Sequence, residues 1–117
     1  MSSITTSALL RSRYIAYLKQ VNLVEANSTN LGEYLSTPTV THNERQLTPA
    51  EYHALIQPGS EFTLDDLMVD VEEKQIGARL TIKLPGPDAR VIKEFVFYRF
   101  GDDGRIEQVW SMLHGEA

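Results

Sequence analysis

Apolar residues near the start of the chain recur at the spacing of one face of an α-helix. The positions that follow the i, i+3 and i+4 rule are Leu10, Tyr14, Tyr17, Leu18 and Val21. This spacing predicts an amphipathic helix over about 6–24, with its basic residues turned to solvent. The five apolar side chains should therefore face a core.

Two further helices and one short strand are predicted in the middle of the chain. Asn30 can cap a short second helix that carries residues 31–35. The β-branched run Thr39–His42 predicts a short strand. Residues 48–51 read Thr-Pro-Ala-Glu, a capping box with proline at the first helical position. This pattern starts a third helix, which we expect to run to about Ile56.

The second half of the chain changes to the two-residue period of β-strands. Four strands are predicted, at Phe62–Val71, Ile76–Leu84, Val91–Phe100 and Arg105–His114. Helices followed by an antiparallel meander indicate an α+β domain with the helices on one face of the sheet. A strongly twisted sheet of this size curls. We therefore expect a cone-shaped, curved antiparallel (mixed) sheet, with three N-terminal helices closing a pocket on its concave side.

Composition and charge narrow the classes of function. The chain has 117 residues, which we interpret as a single domain over 1–117, and a net charge of -5 at pH 7. An acidic surface repels phosphate backbones, and no apolar run approaches the ~18 residues that span a bilayer. Neither nucleic acid nor a membrane is therefore an expected partner. The sequence has no cysteine, which fits a reducing, cytoplasmic location.

No cofactor and no metal are expected. The three histidines do not have the spacing of metal ligands within one helix. Gly101 and Gly104 belong to a hairpin between two strands, whereas a phosphate-binding loop joins a strand to a helix. Chemistry in this chain would therefore rest on its own side chains.

Four segments resemble one protein superfamily in their order and spacing. They are 9–14 (LLRSRY), 34–42 (from Tyr-Leu to Thr-Val-Thr-His), the hairpin 97–106 (FYRFGDDGRI) and 109–114, which begins Val-Trp. Together they resemble the nuclear transport factor 2-like superfamily, and within it the SnoaL-like polyketide cyclases and the ketosteroid isomerases. The resemblance implies a SnoaL-like domain with a pocket for a small hydrophobic molecule. Because one fold hosts many functions, the function depends on the site.

The resemblance assigns chemistry to His42 and Tyr14. His42 ends the first strand, where ketosteroid isomerases place a general base, and a histidine titrating near ~6.5 can exchange protons at neutral pH. Tyr14 matches the tyrosine whose hydroxyl donates to the substrate oxygen in those enzymes. The alternatives are a hydrogen-bonded histidine at a strand end and an ordinary core tyrosine.

Four positions bear on how far the family pattern holds. Val96 stands where the isomerases have a second acid, so a steroid-isomerase mechanism is not expected. Glu94, on the same strand face, reaches either the pocket mouth or solvent. Val109 and His114 replace a histidine and an aspartate that many SnoaL-like proteins carry. His114 is expected either to pair with His42 as acid and base across the cavity, or to be solvated near the C-terminus.

The alternation of the last strand separates its two faces. The resemblance turns Val109 and Ser111 inward and Trp110 and Met112 outward, where an aromatic residue and a methionine suit a homodimer interface. A bulge would reverse this locally and bring Trp110 to the pocket. The predicted substrate-binding residues are Tyr98, Glu94, Val96, Val109, Ser111 and Trp110.

Two functions are consistent with these residues. The first is a cofactor-independent cyclase or isomerase that transfers protons on a hydrophobic oxygenated compound, such as a polyketide of secondary metabolism. His42 would then be the base, Tyr14 an oxygen donor and His114 an acid. The second is a non-catalytic ligand-binding or dimeric assembly module of the same fold. An open cavity with His42 at its wall favours the first, and a cavity filled by Tyr14, Phe97 and Tyr98 favours the second.

Overall fold

The computed structural model describes residues 6–25, 30–87 and 90–115. The described chain contains the helices α1 (Ser7–Val21) and α2 (Pro49–His53) and one 3₁₀ turn, Gly32–Tyr34. Its strands are β1 (Val40–His42), β2 (Arg45–Leu47), β3 (Glu61–Asp70), β4 (Gln75–Lys83), β5 (Val91–Phe100) and β6 (Ile106–Gly115). Neither helix in these ranges is long and apolar enough to cross a membrane.

All six strands join one mixed sheet in the order β2-β1-β6-β5-β4-β3. The four long strands form the predicted antiparallel meander, and their ends lie within one residue of the predicted ones. β1 lies parallel to β6 and pairs His42 with Val109. This parallel junction places the end of β1 beside the middle of β6.

The core lies between α1 and one face of the sheet, which we call the inner face. The predicted apolar stripe of α1 is confirmed, since its buried residues are Leu10, Tyr14, Tyr17, Leu18 and Val21. Alternate residues of β4 are buried on the inner face, namely Ile76, Ala78, Leu80 and Ile82. A helix with a period of 3.6 and a strand with a period of 2 each present one apolar face. Burying these faces against each other removes both from water, at roughly 1.5–3 kcal/mol for each large side chain.

The prediction of three helices is wrong, because the described residues form two. Residues 31–35 form only the 3₁₀ turn, since Gly32 is a poor helix former and Leu35 is already extended and bridges to Ile106. α2 begins at the predicted capping box, in which the Thr48 hydroxyl accepts from the Glu51 amide. It ends at His53 rather than near Ile56, because the next turns tighten to bonds of the 3₁₀ type.

The strand β2 was not predicted from the sequence. Asn43 and Glu44 have φ angles of 46° and 72° and form a two-residue turn after β1. β2 then pairs antiparallel with β1. Asparagine tolerates the left-handed region well, but glutamate in the second place departs from the usual Asn-Gly signal. The hairpin was therefore hard to read from the sequence.

The sheet is not strongly curled, so the predicted cone shape is also wrong. Bulges bend a strand and increase its twist. Here the meander has register shifts only between Leu64 and Asp66 and between Arg99 and Phe100. The pairing of β4 with β5 is continuous from Gln75 to Lys83. Because the strand pairing is regular and the second helix is short, the sheet is less curved than predicted.

Candidate active site

A cavity of about 540 Å³ lies between the helices and the inner face of the sheet. This volume falls within the range of ~300–1,000 Å³ that is usual for small-molecule sites. Most of its lining side chains are apolar. Its polar lining includes Tyr17, His42, Tyr52, Glu94, Tyr98 and Ser111. The cavity can therefore hold a mostly apolar molecule that carries a polar group.

His42 lies at the wall of this cavity, at the end of β1. Its ring makes a T-shaped contact with the Tyr52 ring, with the centroids 5.8 Å apart. Burial lowers the pKa of His42 below its usual 6.5, and the nearby Arg45 cation lowers it further. The imidazole is therefore neutral at pH 7 and able to accept a proton.

Glu94 also faces the cavity, although the sequence left solvent as an alternative for it. It lies on the inner face of β5, and its Oε2 accepts a hydrogen bond of 2.5 Å from the Ser111 hydroxyl. Burial raises the pKa of Glu94 above its usual 4.5, and the bond from Ser111 offsets part of this effect. The carboxyl therefore keeps its proton to a higher pH than a solvated glutamate does.

A pair of tyrosines joins the two helices at the cavity wall. The Tyr17 hydroxyl of α1 and the Tyr52 hydroxyl of α2 form a buried hydrogen bond of 2.8 Å. Burial raises the pKa of both phenols, so both keep their protons and remain hydrogen-bond donors. Neither residue was predicted at the site from the sequence. Their signals were the inward stripe of α1 and the aromatic residue on the capped helix that follows His42.

Tyr14 lies one helical turn from Tyr17 and does not line the cavity. Its side chain is completely buried in the core, and its ring lies 5.0 Å from the Tyr98 ring. Burial raises the pKa of Tyr14, and the nearby Tyr98 hydroxyl offsets part of the rise. The two hydroxyls do not meet with hydrogen-bond geometry, which leaves the Tyr14 oxygen buried without a partner among the described residues.

The side chains of β6 alternate between the two faces of the sheet, as predicted. Val109 and Ser111 line the cavity, together with Leu113. Trp110 is exposed on the opposite, outer face and does not line the cavity, so no local bulge turns it inward. His114 pairs with Lys93 and is exposed on that same outer face. The structure therefore does not bring His114 and His42 together.

The remaining predicted positions divide between the core, the cavity and the outer face. Val96 is buried on the inner face between Glu94 and Tyr98 but is not part of the cavity wall. Tyr98 lines the cavity without filling it, whereas Phe97 is exposed on the outer face. An open cavity with His42 at its wall is the arrangement that we associated with an enzyme.

Known proteins match this chain in fold rather than in sequence. No family model matches it, and no curated protein matches it. The solved structure of SalBIII, an epoxide hydrolase/cyclase-like enzyme in pyran ring formation in the polyether salinomycin, is similar over 94% of both chains, with a TM-score of 0.75 and 12% identity. A steroid delta-isomerase from Pseudomonas aeruginosa is similar over 92% of this chain and 79% of its own, with a TM-score of 0.64 and 13% identity.

A third similar structure is a protein of unknown function with a cystatin-like fold from Methylobium petroleophilum PM1. It is similar over 96% of this chain and 80% of its own, with a TM-score of 0.77 and 16% identity. The chain therefore has the nuclear transport factor 2-like, or cystatin-like, fold, which is the fold that the resemblance in its sequence implied. At such low identity these likenesses show the fold alone.

We expect the tyrosine pair to be coupled in stability. Tyr17→Phe or Tyr52→Phe should each lower the free energy of unfolding by about 1–3 kcal/mol, because each leaves the other hydroxyl buried and unpaired. The double variant should lose less than the sum of the two single losses, because it removes both polar groups. Urea unfolding of the four proteins measures this coupling. Additive losses would show that the two hydroxyls act independently.

Proposed function

We propose that this protein is a cofactor-independent acid–base enzyme of the cyclase or isomerase type. Its substrate would be a small hydrophobic oxygenated compound, such as a polyketide of secondary metabolism. The observation that carries this proposal is that a histidine with a lowered pKa and a glutamate with a raised pKa line the same cavity. A lowered pKa keeps the histidine neutral, as a base must be, and a raised pKa keeps the glutamate protonated, as an acid must be.

His42 is the proposed base and Glu94 the proposed acid. In an isomerisation, the His42 imidazole removes a proton from the carbon beside a carbonyl group, and the Glu94 carboxyl donates a proton to the carbonyl oxygen. An enol results, and the imidazolium then returns its proton to a different carbon as Glu94 recovers its own. In a cyclisation, His42 takes the proton of an attacking hydroxyl group while Glu94 protonates the departing oxygen.

The tyrosines of the cavity support this chemistry as hydrogen-bond donors. Tyr17, Tyr52 and Tyr98 keep their protons because burial raises the pKa of each phenol. A neutral phenol can donate to a developing oxyanion. The proposal does not keep the catalytic parts predicted for Tyr14 and His114, because Tyr14 lies behind the wall and His114 lies on the outer face.

The lining also limits the charge of the substrate. No lysine or arginine lines the cavity among the described residues, so nothing there would pair with a carboxylate or phosphate. Because burying an unpaired charge is costly, a neutral substrate fits this cavity best. The names of the structural neighbours SalBIII and steroid delta-isomerase are in keeping with such a substrate.

A non-catalytic binding module is the alternative function. It is favoured by Val96, which puts an apolar side chain where the ketosteroid isomerases have their second acid. In that case neutral oxygenated compounds would bind in the same cavity and leave unchanged. Binding without turnover across the panel described next would support this alternative.

We expect turnover within a panel of neutral β,γ-unsaturated ketones and epoxy alcohols, followed by mass spectrometry and NMR. For the compound that reacts, His42→Asn and Glu94→Gln should each lower kcat by about 10²–10⁴-fold, because each removes one proton-transfer group. The matched controls are His114→Asn and Glu61→Gln, which change exposed residues outside the cavity. Full activity in folded His42→Asn or Glu94→Gln would contradict the assigned roles.

The pH profile of kcat/KM should be bell-shaped. Activity rises with pH through the lowered pKa of His42, below 6.5, because only neutral imidazole accepts a proton. Activity then falls with pH through the raised pKa of Glu94, above 4.5, because only the protonated carboxyl donates. Glu94→Gln should lose the alkaline limb and keep the acidic one. An unchanged alkaline limb in that variant would assign the acid to another group.

A further inference from the structure

The side chain of Asn43 takes the place of a strand residue beside β6. β1 ends at His42, and its parallel pairing with β6 reaches only as far as Val109. Beyond that point the Ser111 amide donates to Asn43 Oδ1 at 2.8 Å, and Asn43 Nδ2 donates to the Ser111 carbonyl at 3.1 Å. One side chain therefore pairs with both backbone hydrogen-bonding groups of Ser111.

The backbone of Asn43 is tied to the same strand. Its amide donates to the Val109 carbonyl at 2.9 Å. Its φ of 46° lies in the left-handed region, which asparagine tolerates better than most residues do. Three hydrogen bonds from Asn43 thus fix the β1–β2 turn to β6, at the position directly after His42.

Ser111 carries this connection into the cavity. Its side chain lines the cavity, and its hydroxyl donates to Glu94 Oε2 at 2.5 Å. A serine hydroxyl lies one bond beyond Cβ, so a given backbone position allows it only a few staggered positions. Whatever fixes the backbone of Ser111 therefore limits the atoms that its hydroxyl can reach.

We infer that Asn43 is a positioning residue, which holds the backbone of Ser111 so that the Ser111 hydroxyl donates to Glu94. The inference rests on the proposed function, in which Glu94 is the acid. The conformation of the turn does not by itself require asparagine, since glycine adopts a left-handed φ more readily. What asparagine adds is an amide that both accepts from and donates to Ser111.

The other groups that face Glu94 carry no charge that could replace this bond. On the neighbouring strands, the residues paired with Glu94 are the apolar Leu80 and Leu113. His42 is neutral at pH 7, and the phenols keep their protons. The titratable groups that face Glu94 from the described elements are His42 on β1, Tyr14 and Tyr17 on α1, Tyr52 on α2 and Tyr98 on β5.

The bond from Ser111 has a defined effect on the Glu94 carboxyl. A hydrogen bond to a carboxylate favours its charged form, whereas burial favours its protonated form. Burial has the larger effect on the pKa of Glu94, and the bond from Ser111 offsets part of it. Any change that loosens Ser111 should therefore raise the pKa of Glu94 further.

Titration of the Glu94 carboxyl by ¹³C NMR in substrate-free protein tests the role of Asn43. The signal of Glu94 is identified by its loss in Glu94→Gln. Asn43→Gly removes the side-chain amide and suits the φ of 46°, so it should fold and raise the pKa of Glu94. Glu44→Gly makes the matched change at the neighbouring φ of 72° and should leave that pKa unchanged.

A double variant shows whether Asn43 acts through Ser111. Ser111→Ala removes the hydroxyl and should raise the pKa of Glu94 at least as much as Asn43→Gly does. When Asn43→Gly is added to Ser111→Ala, it should cause no further rise, because the bond that it weakens is already gone. The same titration of the four proteins, wild type included, measures this coupling.

Three results would overturn the positioning role. The first is an unchanged Glu94 pKa in folded Asn43→Gly or in Ser111→Ala, and the second is an equal rise in Glu44→Gly. The third is a pair of shifts that add in the double variant, since Asn43 would then act on Glu94 by a route other than the Ser111 hydroxyl.

These titrations need no substrate, so their result does not depend on whether turnover is found. Absence of turnover would count against the proposed function, while the titrations alone decide the part of Asn43. For a compound that reacts, the alkaline limb of the kcat/KM profile should move to higher pH in Asn43→Gly, because the Glu94 carboxyl keeps its proton longer.

Discussion

The register of the four long strands is the constraint on which the rest of this structure depends. β4 and β5 pair without interruption, from Gln75 with Arg99 to Lys83 with Val91. A shift of one residue would exchange the two faces of a strand. Because the register holds, Glu94 and Tyr98 face the cavity, while Phe95 and Phe97 face outward. One pairing pattern therefore produces both the inner face that lines the cavity and the outer face with its exposed aromatic residues.

A single physical effect prepares the base and the acid proposed for the cavity. Burial disfavours charge, so it removes the proton from an imidazole and keeps the proton on a carboxyl. In the same kind of buried surroundings, the pKa of His42 falls and the pKa of Glu94 rises. The bond between Tyr17 and Tyr52 ties α1 to α2 at this wall. The cavity therefore needs no bound ion to shift these groups in the directions that proton transfer requires.

Patterns in the sequence predicted some features of the fold and the site, and left others undecided. The inward stripe of α1 was predicted correctly, but periodicity could not distinguish Tyr14 from Tyr17, since both lie on that stripe. Only the position of α2 decides that Tyr17 reaches the cavity wall, where it meets Tyr52. The alternation of β5 placed Glu94 on the inner face and left open whether solvent or the cavity receives it. The missed β2 depended on a turn whose second residue is the atypical Glu44.

The sequence by itself determined the α+β class, the limits of the long strands and the division of their side chains into two opposite faces. These properties follow from local spacing, because a period of 2 or 3.6 is written in consecutive residues. Tertiary structure alone decided that His42 shares a cavity with Glu94 and that His114 lies on the other face. It also brought Asn43 to Ser111, 68 positions away in the chain. Such contacts depend on how β1 docks beside β6, and no local pattern encodes that pairing.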